Sequence, residues 1–171
     1  ILFFKTMDYF NKLNAYGDVP WYEHVVNPGE EELYKARDSR TVVADNMLRD
    51  INQAIAWMPK SSHVTKVGKE AALALKARFC LFEGTWRRYH NIEGDTKFLQ
   101  EAYNAATELM KSEYGYSLYN GDDPETAYHS LFVENDYSNN SEVILSRAYD
   151  PAKGLGNNIT RTIYLSEGAS N

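Results

Sequence analysis

Residues 69–89 read KEAALALKARFCLFEGTWRRY. Ala72, Leu75, Phe79, Phe82 and Trp86 recur at steps of three and four, the spacing of one face of an α-helix. A second row, Ala71, Ala74, Ala77 and Leu81, is built mainly of small side chains, which let a neighbouring helix approach closely. The stretch predicts a helix over 69–89 with a partner packed against it, and the sequence on either side supplies the partners.

Toward the N-terminus, Val43, Met47, Ile51, Ile55 and Met58 predict a helix over 41–58, with Ser39 or Thr41 as its N-cap and Pro59 as its stop. Residues 60–68 are a polar loop ending in Gly68. An earlier helix spans 2–16, with Phe3, Met7, Phe10 and Asn14 in one row and Tyr9, Leu13 and Tyr16 in another. Gly17 suits a left-handed C-terminal position, and Asp18-Val19-Pro20 stops the helix. The connection 17–39 carries Trp21-Tyr22 and the acidic run Glu30-Glu31-Glu32; connections this long are usually functional or packed down on the surface. Beyond residue 89 a fourth helix is expected over 96–113, with Phe98, Ala102, Ala105, Leu109 and the row Tyr103, Ala106, Met110 turned inward. The result is four helices in two antiparallel pairs. They resemble tetratricopeptide-type hairpins in part, although the 17–39 connection breaks a 34-residue repeat.

After residue 113 the pattern changes. Tyr114-Gly115-Tyr116 and Asn120-Gly121 are turn signals, and Asp123-Pro124-Glu125 starts a short helix running to Leu131. Glu142 to Ser146 is expected as a short strand, and 148–171 as loop rich in Gly, Asn and Ser with one extended segment at 161–165. The fold class is therefore mainly α: a tetratricopeptide-like scaffold over 1–113, and a loop-rich, weakly β extension over 114–171 in the same domain.

The chain has 171 residues, room for one domain with a core. Its formal charge of −6 and the absence of a Lys/Arg block argue against nucleic-acid binding, which needs a basic stripe to neutralise phosphates. No apolar run reaches membrane-spanning length. The chain opens inside a helix and ends at Ser170-Asn171 without a terminating element, so it reads as an internal piece of a longer protein, with targeting signals outside it. Cys80, the single cysteine, is expected as a buried free thiol. His24, His63, His90 and His129 are scattered and lack zinc-helix spacing. Asp122-Asp123 lacks the oxygen ladder of a calcium loop, and Lys153-Gly154-Leu155-Gly156 lacks a nucleotide fingerprint. These features predict no enzyme, no metal and no cofactor.

Four segments together resemble the SusD/RagB family: Tyr9-Phe10-Asn11 with Ala15-Tyr16-Gly17-Asp18-Val19-Pro20-Trp21; Arg40 with Asp50-Ile51, Ala54-Ile55 and Met58-Pro59; Val64-Thr65-Lys66 through Ala77-Arg78 to Leu81-Phe82-Glu83-Gly84-Thr85-Trp86; and Tyr116-Ser117-Leu118 with Tyr128, Leu131-Phe132 and Asn140-Ser141-Glu142-Val143-Ile144. They follow the family's order over almost the whole chain. The resemblance implies a cell-surface lipoprotein of the bacterial outer membrane, anchored through a lipid outside these residues. It implies a non-catalytic protein of nutrient uptake and polysaccharide utilisation that binds a glycan and sits on a SusC-like TonB-dependent transporter. It also implies that Trp21 is a structural plug. Trp57 and Trp86 are assigned to the core, and the Arg and Lys residues of the helices to solvent. The binding candidates are Arg147, Tyr149, Asp150, Lys153, Asn157, Asn158, Arg161 and Tyr164, which mix rings, amides and cations on a loop carried by a rigid scaffold. The alternative readings are a tetratricopeptide-type protein–protein adaptor, which would continue in regular hairpins beyond residue 114, and a helical glycosidase, which would need a tuned carboxylate pair.

Overall fold

The computed structural model describes residues 1–121, 123–134 and 136–156. Five α-helices follow one another: α1 (Leu2–Tyr16), α2 (Arg40–Trp57), α3 (Lys69–Tyr89), α4 (Asp95–Leu109) and the short α5 (Ala127–Val133). Helices α1, α2 and α3 pack on one another, and α4 folds back along α3 after the turn at 90–94. Three rings set edge to face run through this bundle: Phe10 of α1 lies 5.9 Å from Phe79 of α3, which lies 5.7 Å from Phe98 of α4.

The 17–39 connection is pinned to the bundle by its own side chains. Gly17 has φ +70°, and its N–H reaches the Leu13 carbonyl at 3.1 Å. Asp18 Oδ1 accepts from the Arg40 backbone N–H (2.8 Å), while Ser39 Oγ accepts from Val42 N (3.5 Å), so two side chains cap α2. Trp21 is buried against Tyr9 with ring centroids 4.3 Å apart, beneath the Lys5 ammonium. The Trp21 backbone N–H donates to Asp38 Oδ2 (2.7 Å), and this bond, ahead of the Lys35 ammonium, holds the Asp38 carboxyl below the usual range. Trp21 is the plug that the sequence suggests.

Glu83 on α3 is fully buried between two buried arginines. Arg40 Nε donates to Glu83 Oε2 (2.9 Å), and Arg87 Nε donates to Oε1 (2.8 Å). Arg40 Nη2 also lies 2.8 Å from Oε2 but off the hydrogen-bond line, so that contact is an ion pair without a well-directed hydrogen bond. The remaining donors reach backbone carbonyls: Arg40 Nη1 to Leu13 (3.3 Å), and Arg87 Nη1 and Nη2 to Glu93 (3.1 Å) and Thr41 (3.4 Å). The guanidinium faces are covered by rings, with Arg40 4.4 Å from Trp86 and Arg87 4.3 Å from Phe98. Gly94 has φ +86°, and a Cβ there would stand 2.8 Å from Arg87 Nη1.

Several expectations are corrected. Arg40, Arg87 and Lys76 are buried, because Arg40 and Lys76 meet carboxylates of neighbouring helices and Arg87 meets Glu83 of its own helix. Trp57 is 71% exposed: two residues past Ile55, it points roughly 200° around the helix from the buried row. Trp86 is half-exposed and stacks on His90 at 4.0 Å. On α1, Thr6 replaces Met7, Asn14 and Tyr16 in the buried arc, since its hydroxyl is satisfied by Leu2 O at 2.9 Å. Tyr103 and Met110 are exposed, because no described helix covers that row of α4, which ends at Leu109. The short helix begins at Ala127 instead of Asp123; the Asp123 carboxylate accepts from Glu125 N (3.0 Å) and forms a turn ahead of it. Residues 142–146 form no strand, and two isolated bridges, Val19 with Asp38 and Asp150 with Leu155, are the only β pairing among the described residues. The extended segment expected at 161–165 lies outside the described residues. Cys80 is buried as expected, its thiol pushed up to about 12 by burial.

Two substitutions test this packing by urea denaturation. Glu83→Ala strands two buried guanidiniums and is expected to cost about 3–5 kcal/mol; a change under about 1 kcal/mol would contradict the buried triad. Gly84→Ala gains about 1 kcal/mol of helix propensity. Its Cβ, however, would stand 2.9 Å from the backbone N of Leu99, and that atom is held in α4. Overpacking of this kind costs about 1–3 kcal/mol, so the variant is expected to be less stable, whereas net stabilisation would show that α3 and α4 are not in close contact there.

Candidate functional site

Of the loop residues singled out in the sequence, Arg147, Tyr149, Asp150 and Lys153 are described; Asn157, Asn158, Arg161 and Tyr164 lie outside the described residues. The four form two pairs. The Arg147 guanidinium stands 5.3 Å over the Tyr149 ring, and both side chains are exposed. Lys153 Nζ is 2.8 Å from Asp150 Oδ2, while Asp150 Oδ1 accepts from Ala152 N (3.1 Å). The Asp150 backbone pairs with Leu155 in both directions, at 2.8 and 3.0 Å, around a 3₁₀ turn at 151–153. Asp150 therefore shapes the loop. Arg147 and Tyr149 present a cation and a ring to solvent.

A second arrangement was not visible in the sequence. The loop that follows α2 packs against the 138–146 segment, and a polar cleft of about 220 Å³ opens between them. Val64 O accepts from Ser146 N (2.9 Å), and Ser141 O accepts from Ser117 N (3.1 Å). The floor is the carboxylate of Glu70, both oxygens of which accept from Ser61 N, at 3.1 and 3.0 Å. Gly68 permits this approach, because a Cβ there would lie 2.5 Å from Glu70 Oε2. Tyr116 and Lys60 line the walls. Burial, then the charge of Glu70, holds the Tyr116 phenol above its usual range. Its residues lie on four separate stretches of chain, so no local motif announces them.

At the rim, Ser138 Oγ lies 2.6 Å from Asp136 Oδ1 and 3.2 Å from His63 Nε2. The Ser138 hydroxyl donates to the carboxylate, and Thr65 N donates to His63 Nδ1 (3.3 Å), so in the neutral imidazole Nε2 is the donor toward Ser138. Hydrogen bonds from Ser138 also hold the Asp136 carboxyl below its usual range, which makes it a weak base. The contact joins two loops and does not arm a nucleophile. Among the described residues, no cluster of His, Cys, Asp and Glu could hold a metal ion.

No family model matches the sequence, and no curated protein matches it. Among solved structures, the chain is similar to a SusD-like protein from Bacteroides fragilis, with a TM-score of 0.68 and 25% sequence identity over 87% of this chain. The match covers 26% of that protein, so the chain spans about a quarter of its length.

Proposed function

The chain is SusD-like, and from that premise we propose that it belongs to a non-catalytic protein that binds glycans at the bacterial cell surface and delivers them to a SusC-like TonB-dependent transporter of the outer membrane. The observation that carries the reading is the likeness in fold to a SusD-like protein, reached over most of this chain. The segment after α4 supports it, because that segment leaves the helical hairpins for loops bearing exposed rings and cations. A protein–protein adaptor would extend the hairpins there instead. In this reading Arg147, Tyr149 and Lys153 belong to the ligand face, together with Asn157, Asn158, Arg161 and Tyr164. Attachment to the membrane is through a lipid anchor outside these residues; no described helix is long and apolar enough to cross a membrane.

Aromatic stacking contributes about 0.5–1.5 kcal/mol per ring pair, so Tyr149→Ala in the full-length protein is expected to weaken polysaccharide binding about 2–10-fold. Native electrophoresis through gels containing soluble polysaccharides reads this as reduced retardation. Unchanged retardation in the variant would remove Tyr149 from the ligand face, and no retardation of the unaltered protein by any polysaccharide would contradict the glycan reading.

A further inference from the structure

We propose that the cleft between the loop after α2 and the 138–146 segment binds a single sugar unit, a site separate from the 147–156 loop. The inference rests on the glycan reading above and names where one ring of the ligand is held.

The cleft carries unfilled hydrogen-bonding capacity on three side chains. Glu70 is only 2% exposed, yet among the described residues its carboxylate has one N–H partner and no cation. An ionised carboxylate has about four acceptor sites, and a buried one is costly unless donors fill them. The Tyr116 hydroxyl has no hydrogen bond among the described residues, and its ring is half-buried in the wall. Lys60 gives one N–H to Glu113 O at 2.5 Å and stands 5.7 Å over the Tyr114 ring, which leaves N–H donors for a ligand. Val143 and Ile144 add an apolar side.

These groups select by chemistry. A phosphate or carboxylate ligand would meet the Glu70 charge, and a divalent cation would meet Lys60 and find a single carboxylate. Sugar hydroxyls both donate and accept, so a sugar can donate to Glu70 and accept from Lys60, and a ring C–H face fits the Tyr116 side. Size agrees: about 220 Å³ is below the roughly 300–1,000 Å³ of drug-sized pockets and suits one ring.

The test uses the full-length protein and millimolar methyl glucoside, methyl galactoside and N-acetylglucosamine, with binding followed by saturation-transfer NMR. Tyr116→Phe and Lys60→Ala change an unpaired hydroxyl and an exposed ammonium, and neither removes core packing. At least one of the sugars should bind, about 2–10-fold more weakly to Tyr116→Phe and about 10-fold or more weakly to Lys60→Ala. Sugar binding equal to the unaltered protein in both cleft variants overturns the inference, as does phosphate displacing the sugar. Polysaccharide retention without any single-sugar binding overturns the cleft alone and leaves the glycan reading standing. Loss of both overturns the two together.

Discussion

The buried group Arg40–Glu83–Arg87 is the constraint on which the helical scaffold depends. Its atoms reach the last turn of α1 through Leu13 O, the first turn of α2 through Arg40 itself, the middle of α3, and the approach to α4 through Glu93 O. One carboxylate between two guanidiniums leaves a net positive charge in the interior. That is tolerable because nearly every donor is met and three rings cover the guanidinium faces. Such a group contributes less to net stability than to geometry, since only one arrangement of the four helices satisfies it. The close approach at Gly84 and the plug at Trp21 follow from that arrangement.

Much of the scaffold was legible in the sequence because its helices are long and strongly periodic. Helix α3 runs over the residues that its pattern marks, and Ser39 caps α2 as its side-chain chemistry suggests. Burial of charge was not legible. Glu83 and Arg87 stand four apart, the spacing of an ordinary surface pair, and the partner that buries them is Arg40, 43 residues from Glu83. Trp57 and Tyr103 misled for the converse reason: apolar identity says nothing about whether a neighbour is present to cover it. The strand expected at 142–146 had the right composition, but among the described residues its backbone meets other segments only at single hydrogen bonds, so no ladder forms there.

The residues that carry the SusD/RagB resemblance are largely consumed by the fold. Asp18 caps α2, Trp21 fills the gap under the long connection, Arg40 and Glu83 form the buried group, Asp50 pairs with Lys5 at 3.0 Å, and Gly84 admits α4. Such a motif identifies architecture and is silent on the ligand. The groups with free capacity, Arg147 and Tyr149 on one loop and Glu70, Lys60 and Tyr116 in the cleft, lie mostly outside it. Ligand choice can therefore vary while the scaffold stays fixed.

Binding without turnover is what distinguishes the proposed function from that of a hydrolase. It is tested most directly by incubating the full-length protein with a polysaccharide that it retains, then measuring bound ligand and newly formed reducing ends in the same sample. A protein that binds without turnover gives saturable binding with reducing ends at the level of the protein-free control. Reducing ends that accumulate in proportion to protein and time would contradict it and make the protein a hydrolase.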